Sequence, residues 1–332
     1  MNEVMKSYVA SFTSHLDEAL KIGASLSFTP ARNDFQHIII TGLGGSGIGG
    51  KIVSQLIADE IKVPVYLNND YKLPAFVGEK SLVIASSYSG NTEETLYSVE
   101  QALAAGAEVF CISSGGKLID LAKEKNLGYI QVASGYPPRA AFGLSFPQLY
   151  FALNKYGFIN SDFISVFQRA ITMLNSAEEE IKQEAYSLAE KIHGKSSVVI
   201  YAEAKFEGIA IRFRQQLNEN AKILCWHHVL PEMNHNELVG WAGGTSDVAV
   251  VLIQNENDFY RTKERFAYSK GVFEKYTSTI IDLNSQGDSN LMRSLYLIHL
   301  TDWTSCYLAD LRDVDAIEID VIISLKSRLE EF

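Results

Sequence analysis

The stretch Ile38-Ile39-Ile40-Thr41-Gly42-Leu43-Gly44-Gly45-Ser46-Gly47 decides the fold. An apolar strand run passes into a loop of small residues, and a helical pattern follows. The same order returns at Leu82-Val83-Ile84-Ala85-Ser86-Ser87-Tyr88-Ser89-Gly90-Asn91-Thr92. A Gly/Ser/Thr loop between a strand and a helix N-terminus presents backbone N–H groups and the positive end of the helix dipole, and its hydroxyls add donors. Two such loops in one parallel sheet are suited to grip a phosphorylated ligand.

Outward from these loops, strand-like runs fall at 36–41, 63–67, 81–86, 108–112 and 128–132. Helix-like stretches follow at 46–60, 91–105, 116–125 and 138–156, after an amphipathic helix over 1–24. This is the βαβ rhythm of a doubly wound parallel sheet. A long helical stretch over 163–193, ending near Gly194, reads as a bridge. The rhythm then restarts, with strands at 197–202, 247–253 and 278–282 and helices at 207–222, 259–275, 291–311 and 316–330. Ile39-Ile40-Thr41 through Gly47-Ile48-Gly49 aligns without a gap onto Ile200-Tyr201-Ala202 through Gly208-Ile209-Ala210, and Gln55-Leu56 then meets Gln216-Leu217. The expectation is an α/β protein of two flavodoxin-like domains related by duplication, residues 1–157 and 158–332. In the second copy Glu203-Ala204-Lys205-Phe206-Glu207 replaces the glycine loop and would repel a phosphate, so the anion site is expected in the first domain.

The composition is 47% apolar and 21% charged over 332 residues, with a net charge of −11. That balance argues against a general binder of nucleic acid or of anionic membranes. Phosphate recognition must then be local. No run of eighteen apolar residues marks a membrane span. Met1 to Leu20 carries Glu3, Asp17 and Glu18 without an apolar core, which is not the pattern of a signal peptide. Cys111, Cys225 and Cys306 form neither a disulfide framework nor a zinc spacing, and a reducing cytoplasm fits.

Gly42-Leu43-Gly44-Gly45-Ser46-Gly47 also satisfies the dinucleotide fingerprint, with Asp70 near the end of the next strand. A dinucleotide unit, however, has no use for a second Ser/Thr loop. Nor does it explain Gly49 and Gly50 inside the first helix, which point to close packing there. The second loop holds four Ser/Thr among the seven residues from Ser86 to Thr92. A simple helix cap would account for one of them. Glu93 and Glu94 follow in the first helical turn, where carboxylates are favoured.

These two loops, with Pro137-Pro138-Arg139-Ala140-Ala141-Phe142-Gly143, Leu217-Asn218-Glu219-Asn220-Ala221-Lys222 and Pro231-Glu232-Met233-Asn234-His235-Asn236-Glu237, resemble the bifunctional phosphoglucose/phosphomannose isomerases of the sugar isomerase (SIS) fold. The resemblance runs along nearly the whole chain. It implies two SIS domains and interconversion of glucose 6-phosphate with fructose 6-phosphate, and of mannose 6-phosphate with fructose 6-phosphate. By position, Ser87, Ser89 and Thr92 would hold the sugar phosphate beside the Gly45-Ser46 backbone. Arg139 would stabilise an enediolate, and Glu219 would be the base that moves the proton. His235, donated by the partner of a homodimer, would assist ring opening, as would Lys326. No cofactor and no metal are implied.

The chemistry is consistent with these residue types. Aldose–ketose isomerisation needs one mobile base, a cationic group for the developing oxyanion and a grip on the remote phosphate. Glu219 sits near a helix end between two asparagines of poor helix propensity. Read without the resemblance, it could equally be a surface Glu paired with Lys222 one turn on. Pro137-Pro138 stiffens the chain before Arg139, which could otherwise be a surface arginine at a helix start. His227, His228 and His235 read as one loop with Glu232 and Glu237. Their spacing matches no helical or closed zinc site. His235 suits proton exchange near neutral pH, whereas His227 and His228 suit packing or an interface. Two rivals are a phosphosugar sensor of the same fold, which would not need Glu219 or His235, and an isomerase of another sugar phosphate.

Overall fold

The computed structural model describes residues 2–329 and 331. Its elements are, in chain order, α1 (Glu3–Ala10), α2 (Phe12–Ala24), β1 (His37–Thr41), α3 (Gly44–Leu56), β2 (Val65–Asn68), β3 (Ser81–Ser86), α4 (Glu93–Ala104), β4 (Glu108–Ser113), α5 (Gly116–Glu124), β5 (Gly128–Gln131), α6 (Phe142–Lys155) and α7 (Asp162–Ile192). They continue as β6 (Ser197–Glu203), α8 (Glu207–Ala221), β7 (Cys225–Leu230), α9 (Glu237–Gly240), β8 (Val248–Gln254), α10 (Tyr260–Phe273), β9 (Ile280–Asn284), α11 (Asn290–Leu311) and α12 (Asp320–Leu329).

Two compact units result. One gathers Ser11–Ser176 and Gly287–Leu295; the other gathers the described residues of Met1–Ala10, Ala177–Gln286 and Tyr296–Phe332. The first holds a parallel sheet in the order β2-β1-β3-β4-β5 and the second a parallel sheet in the order β7-β6-β8-β9. The α/β class and the two doubly wound sheets are as the sequence implied. Parallel strands covered on both faces read as unbroken apolar runs. Thus every residue of β3 is buried, as are Val248 to Ile253 of β8.

The duplication is visible in the registers. Ile39 of β1 pairs with Tyr66 of β2, and Ile200 of β6 pairs with His227 of β7, at an identical spacing along the chain. Ile39 pairs on its other side with Val83, and Ile200 with Val251. β7 corrects the reading that places His227 and His228 in one loop with His235. His227 and His228 are consecutive strand residues, so their side chains leave opposite faces of the sheet. His227 packs toward α8, with Arg214 Nη1 3.2 Å from its Nδ1 and Glu207 Oε1 3.8 Å from its Nε2.

Within the first unit α6 is buried on all sides from Phe142 to Leu153, as a central helix must be. The expected close packing at Gly49 and Gly50 is present. A Cβ on Gly49 would lie 3.3 Å from Leu149, and one on Gly50 2.7 Å from Ile40. The N-terminal helix is interrupted at Ser11, and α6 begins at Phe142 rather than 138, because Pro137 to Ala140 form a turn. In the second unit, Arg212 and Gln216 of α8 both bind Asp302 of α11, at 2.5 and 2.8 Å, and Asn220 donates to Ser305 at 2.9 Å. These buried polar bonds fix the axial position of α8.

Candidate active site

In the first sheet the chain turns one way from β1 to β2 and the other way from β3 to β5, so the crevice between β1 and β3 is the topological switch point. Both small-residue loops open there. Gly42 lies so close to the end of β3 that a Cβ would sit 2.5 Å from the Ser86 carbonyl oxygen. Gly90 has φ +69°, and a Cβ there would overlap the Gly115 carbonyl. Ser46 Oγ accepts from the Tyr88 N–H at 3.0 Å and ties the first loop to the second. Asn69 Nδ2 donates to the Gly42 carbonyl at 2.6 Å and holds the glycine loop from β2.

In the second loop Ser87 Oγ donates to Thr92 Oγ1 at 2.9 Å and accepts from the Gly90 N–H at 3.2 Å. Ser87 is 1% exposed, whereas Ser89 is open to solvent and its Oγ accepts from the Asn91 N–H at 3.3 Å. Thr92 is the N-cap residue of α4, yet its side chain makes no capping bond. Its hydroxyl is committed to Ser87 instead. The first N–H groups of α4 thus face the loop with the helix dipole behind them, the arrangement that attracts an anion.

Arg139 enters the same unit from the Pro137 turn, where the Ala140 N–H bonds to the Pro137 carbonyl at 2.9 Å. A Cβ on Gly45 would lie 3.1 Å from the Pro138 oxygen and 3.3 Å from Arg139 Cα. A side chain at Gly45 would force the Pro138-Arg139 backbone to shift by a few tenths of an ångström. Arg139 is 3% exposed, not the surface arginine that a helix start would give. Gly45, Ser46, Ser87, Thr92 and the Arg139 backbone are therefore gathered in one unit, with Ser89 at its rim.

Tyr88 is a member of this constellation that its residue type did not reveal. Its phenol donates to the Ala133 carbonyl at 3.0 Å and accepts from the Tyr136 N–H at 3.3 Å, bracing the approach to the arginine turn. Burial raises its pKa. The position between two loop serines was the available signal.

Glu219, His235 and Lys326 belong to the other unit. Glu219 is half-buried two residues before the end of α8. Its flanking asparagines are structural: Asn218 Nδ2 donates to the Ile223 carbonyl at 2.7 Å, and Asn220 is fully buried against Ser305. Lys222, in the left-handed cap position, donates to the carbonyls of Glu219 at 2.6 Å and Glu318 at 2.7 Å. His235 is exposed on a 3-10 turn over Glu232–His235. Lys326 is exposed on α12, a helix with no buried residue. Burial pushes the Cys111, Cys225 and Cys306 thiols up to about 12, so they are unreactive at neutral pH. Among the described residues no group of three or more His, Cys, Asp or Glu is placed to hold a metal ion, and no helix is long and apolar enough to cross a membrane.

Two parallel switch-point sheets, the first of them with such loops, define a protein of the SIS class. A solved structure, the C-terminal domain of glucosamine-fructose-6-phosphate aminotransferase from Francisella tularensis, superposes with a TM-score of 0.78 over 96% of this chain and 99% of that one, at 15% identity. The likeness is one of fold. Residues 181–329 match the bacterial phospho-glucose isomerase C-terminal SIS domain. The bifunctional phosphoglucose/phosphomannose isomerase of Caldicellulosiruptor bescii is 35% identical over 97% of this chain and 98% of its own length. That of Aquifex aeolicus is 36% identical over 90% of this chain and 91% of its own. The chain belongs to the bifunctional phosphoglucose/phosphomannose isomerase family.

Proposed function

We propose that the protein interconverts glucose 6-phosphate with fructose 6-phosphate, and mannose 6-phosphate with fructose 6-phosphate, by proton transfer through a cis-enediol. The observation that carries the reading is the hydroxyl-lined cradle at the N-terminus of α4, with Ser87 bonded to Thr92 rather than Thr92 capping the helix. Ser87, Ser89 and Thr92 hold the phosphate through hydroxyls and backbone N–H groups, with the Gly45-Ser46 backbone alongside. His235 and Lys326 assist ring opening, moving the anomeric hydroxyl proton and protonating the ring oxygen. Glu219 then takes a proton from the carbon next to the carbonyl. The electron pair of that C–H bond becomes the enediolate, whose charge Arg139 balances. The hydroxyl proton moves from one enediol oxygen to the other as Glu219 returns the carbon-bound proton to the neighbouring carbon, which completes the exchange of aldose for ketose with no net oxidation. Rotation about the bond between carbons 2 and 3 of the enediol lets the base meet either face, so one pocket serves both epimers.

The active form is a homodimer in which His235 reaches the substrate of the partner subunit; the exposure of His235 supports this. The phosphate loops lie in the N-terminal domain, 1–157, and the Glu219 and His235 segments in the C-terminal one, 158–332. No metal or cofactor takes part. The three free cysteines fit a reducing cytoplasm. Chelator-treated protein incubated with fructose 6-phosphate should form both glucose 6-phosphate and mannose 6-phosphate. Formation of neither would favour a phosphosugar sensor or an isomerase of another sugar phosphate.

A further inference from the structure

His235 sits in the middle of a short segment that has little intrinsic order. The 3-10 turn Glu232–His235 and the helix α9 have four residues each. Helices of that length are not stable by themselves. Side-chain bonds from the second sheet and α10 hold the segment instead.

Each of its neighbours in sequence is tied down. Met233 is fully buried in the cluster of Val199, Tyr201, Leu230 and Phe273. Asn234 reaches α10, with Nδ2 donating to Ser269 at 2.9 Å and Oδ1 accepting from Arg265 at 3.2 Å. Asn236 Oδ1 accepts from the Glu237 N–H at 2.6 Å, and its Nδ2 donates to Glu232 at 3.0 Å. Glu237 Oε1 accepts twice, from the Tyr201 hydroxyl at 2.5 Å and from Trp226 Nε1 at 2.9 Å. The Tyr201 hydroxyl in turn accepts from Trp241 Nε1 at 2.9 Å. Tyr201 is buried on the central strand β6 and stacks on Phe273 at 5.1 Å, with the Trp241 ring 4.7 Å from the same phenylalanine. His235, by contrast, is exposed.

We propose that Glu237, Tyr201 and Trp241 are positioning residues that hold the His235 turn in register with β6, so that the imidazole is presented in one orientation to the substrate. This rests on the isomerase reading, in which His235 acts in ring opening. A carboxylate that accepts two bonds on one oxygen links the segment to two strands at once, and charge-assisted bonds of this kind are the stronger ones. Burial, with the Glu237 carboxylate acting in the same direction, raises the Tyr201 pKa and keeps its hydroxyl a donor. Every group in the chain Trp241, Tyr201, Glu237, Trp226 is satisfied by the next, so removing one hydroxyl loosens the set without leaving a buried charge.

The test is a double-mutant cycle on the full-length protein with fructose 6-phosphate, read as kcat and KM separately. Y201F, which keeps the ring and removes only the hydroxyl, and E237Q should each lower kcat roughly tenfold, the scale of a misplaced acid–base group, with KM changed less than about threefold. In an H235A background the same substitutions should cost less than about twofold, because a group acting through His235 has nothing left to position. Equal losses in both backgrounds, or an unchanged kcat in the single variants, would overturn the proposal. The imidazole resonances of His235 supply a readout independent of turnover. Y201F should broaden or shift them while the unfolding midpoint of the protein stays within a few degrees. Unaltered resonances would also overturn it. An unmodified protein without isomerase activity would instead sink the function assigned above, leaving the resonances to decide the positioning.

Discussion

The two halves of this chain place the same topology around opposite chemistry. At the switch point of the first sheet stand Gly42 after β1 and Ser87 to Thr92 after β3. At the switch point of the second, Glu203 ends β6 and Asn255 to Phe259 follow β8. There the Phe259 N–H donates to Glu203 Oε1 at 3.0 Å, and Asp258 accepts from the Asn255 N–H and side-chain amide, each at 2.9 Å. Glycine and hydroxyls in one crevice leave N–H groups for an anion. Carboxylates in the other consume such groups internally. With the grip kept in one copy, the other is free to lose it. In the function proposed above, the second then supplies the end of α8 and the turn after β7 for proton transfer.

The comparison can be broken at several points, taken from the largest expected effect to the smallest. Gly90→Ala should be the most damaging. Its φ is +69° and its Cβ would collide with a backbone carbonyl, so a stability loss of roughly 3 kcal/mol is expected, with phosphosugar binding lost as well. Urea unfolding and calorimetric titration check this, and a variant that binds normally would show that the loop geometry is unimportant.

Asp258 sharpens the contrast through pH. Burial, with the adjacent Glu203 carboxylate adding to it, pushes its carboxyl up to about 6, against the hydrogen bonds from Asn255 that pull it down. The folded state therefore holds this proton more tightly than the unfolded state does. Stability from this group is fully present below about pH 4 and is lost as pH rises through about 6. Asp258→Asn removes the ionisation. The variant should gain on the parent, on the order of 1 to 2 kcal/mol, as denaturation is measured from pH 4 to pH 7. Parallel stability curves would contradict the buried acid.

The gentlest change is Ser89→Ala. One exposed hydroxyl on a phosphate is worth about one charge-assisted hydrogen bond, so KM for fructose 6-phosphate should rise about tenfold with kcat nearly constant. A fall in kcat at constant KM would assign Ser89 to the chemistry and not to the grip.

Much of this division is legible in the residues. Continuous Ile, Leu and Val runs bounded by Gly or Ser fix the buried parallel strands, because a strand covered on both faces has no polar alternation to hide it. The edge strand β7 is the exception. Cys225-Trp226-His227-His228-Val229-Leu230 breaks its apolar residues with two histidines and reads as loop, since an edge strand is covered less and tolerates polar side chains. Carrying the gapless repeat one strand further, from Tyr66 to His227, would have found it. At the site, the paired loops could be read locally, whereas Arg139 stood apart from a surface arginine only through the resemblance. Asn69 could not be read so, because its role depends on a partner distant in sequence, and for Tyr88 the one local signal was its place between two loop serines. Asn218 and Asn220 mislead in the other direction: they mark an organised helix end, but their amides serve the fold around Glu219.

The division of labour is tested most directly on Glu219→Gln, by measuring fructose 6-phosphate binding and turnover in the same preparation. Binding within about threefold of the parent, together with turnover lowered a hundredfold or more, is the expected result, since the grip lies in the other half and only the base is lost. Near-normal turnover would contradict it and remove Glu219 from the reaction.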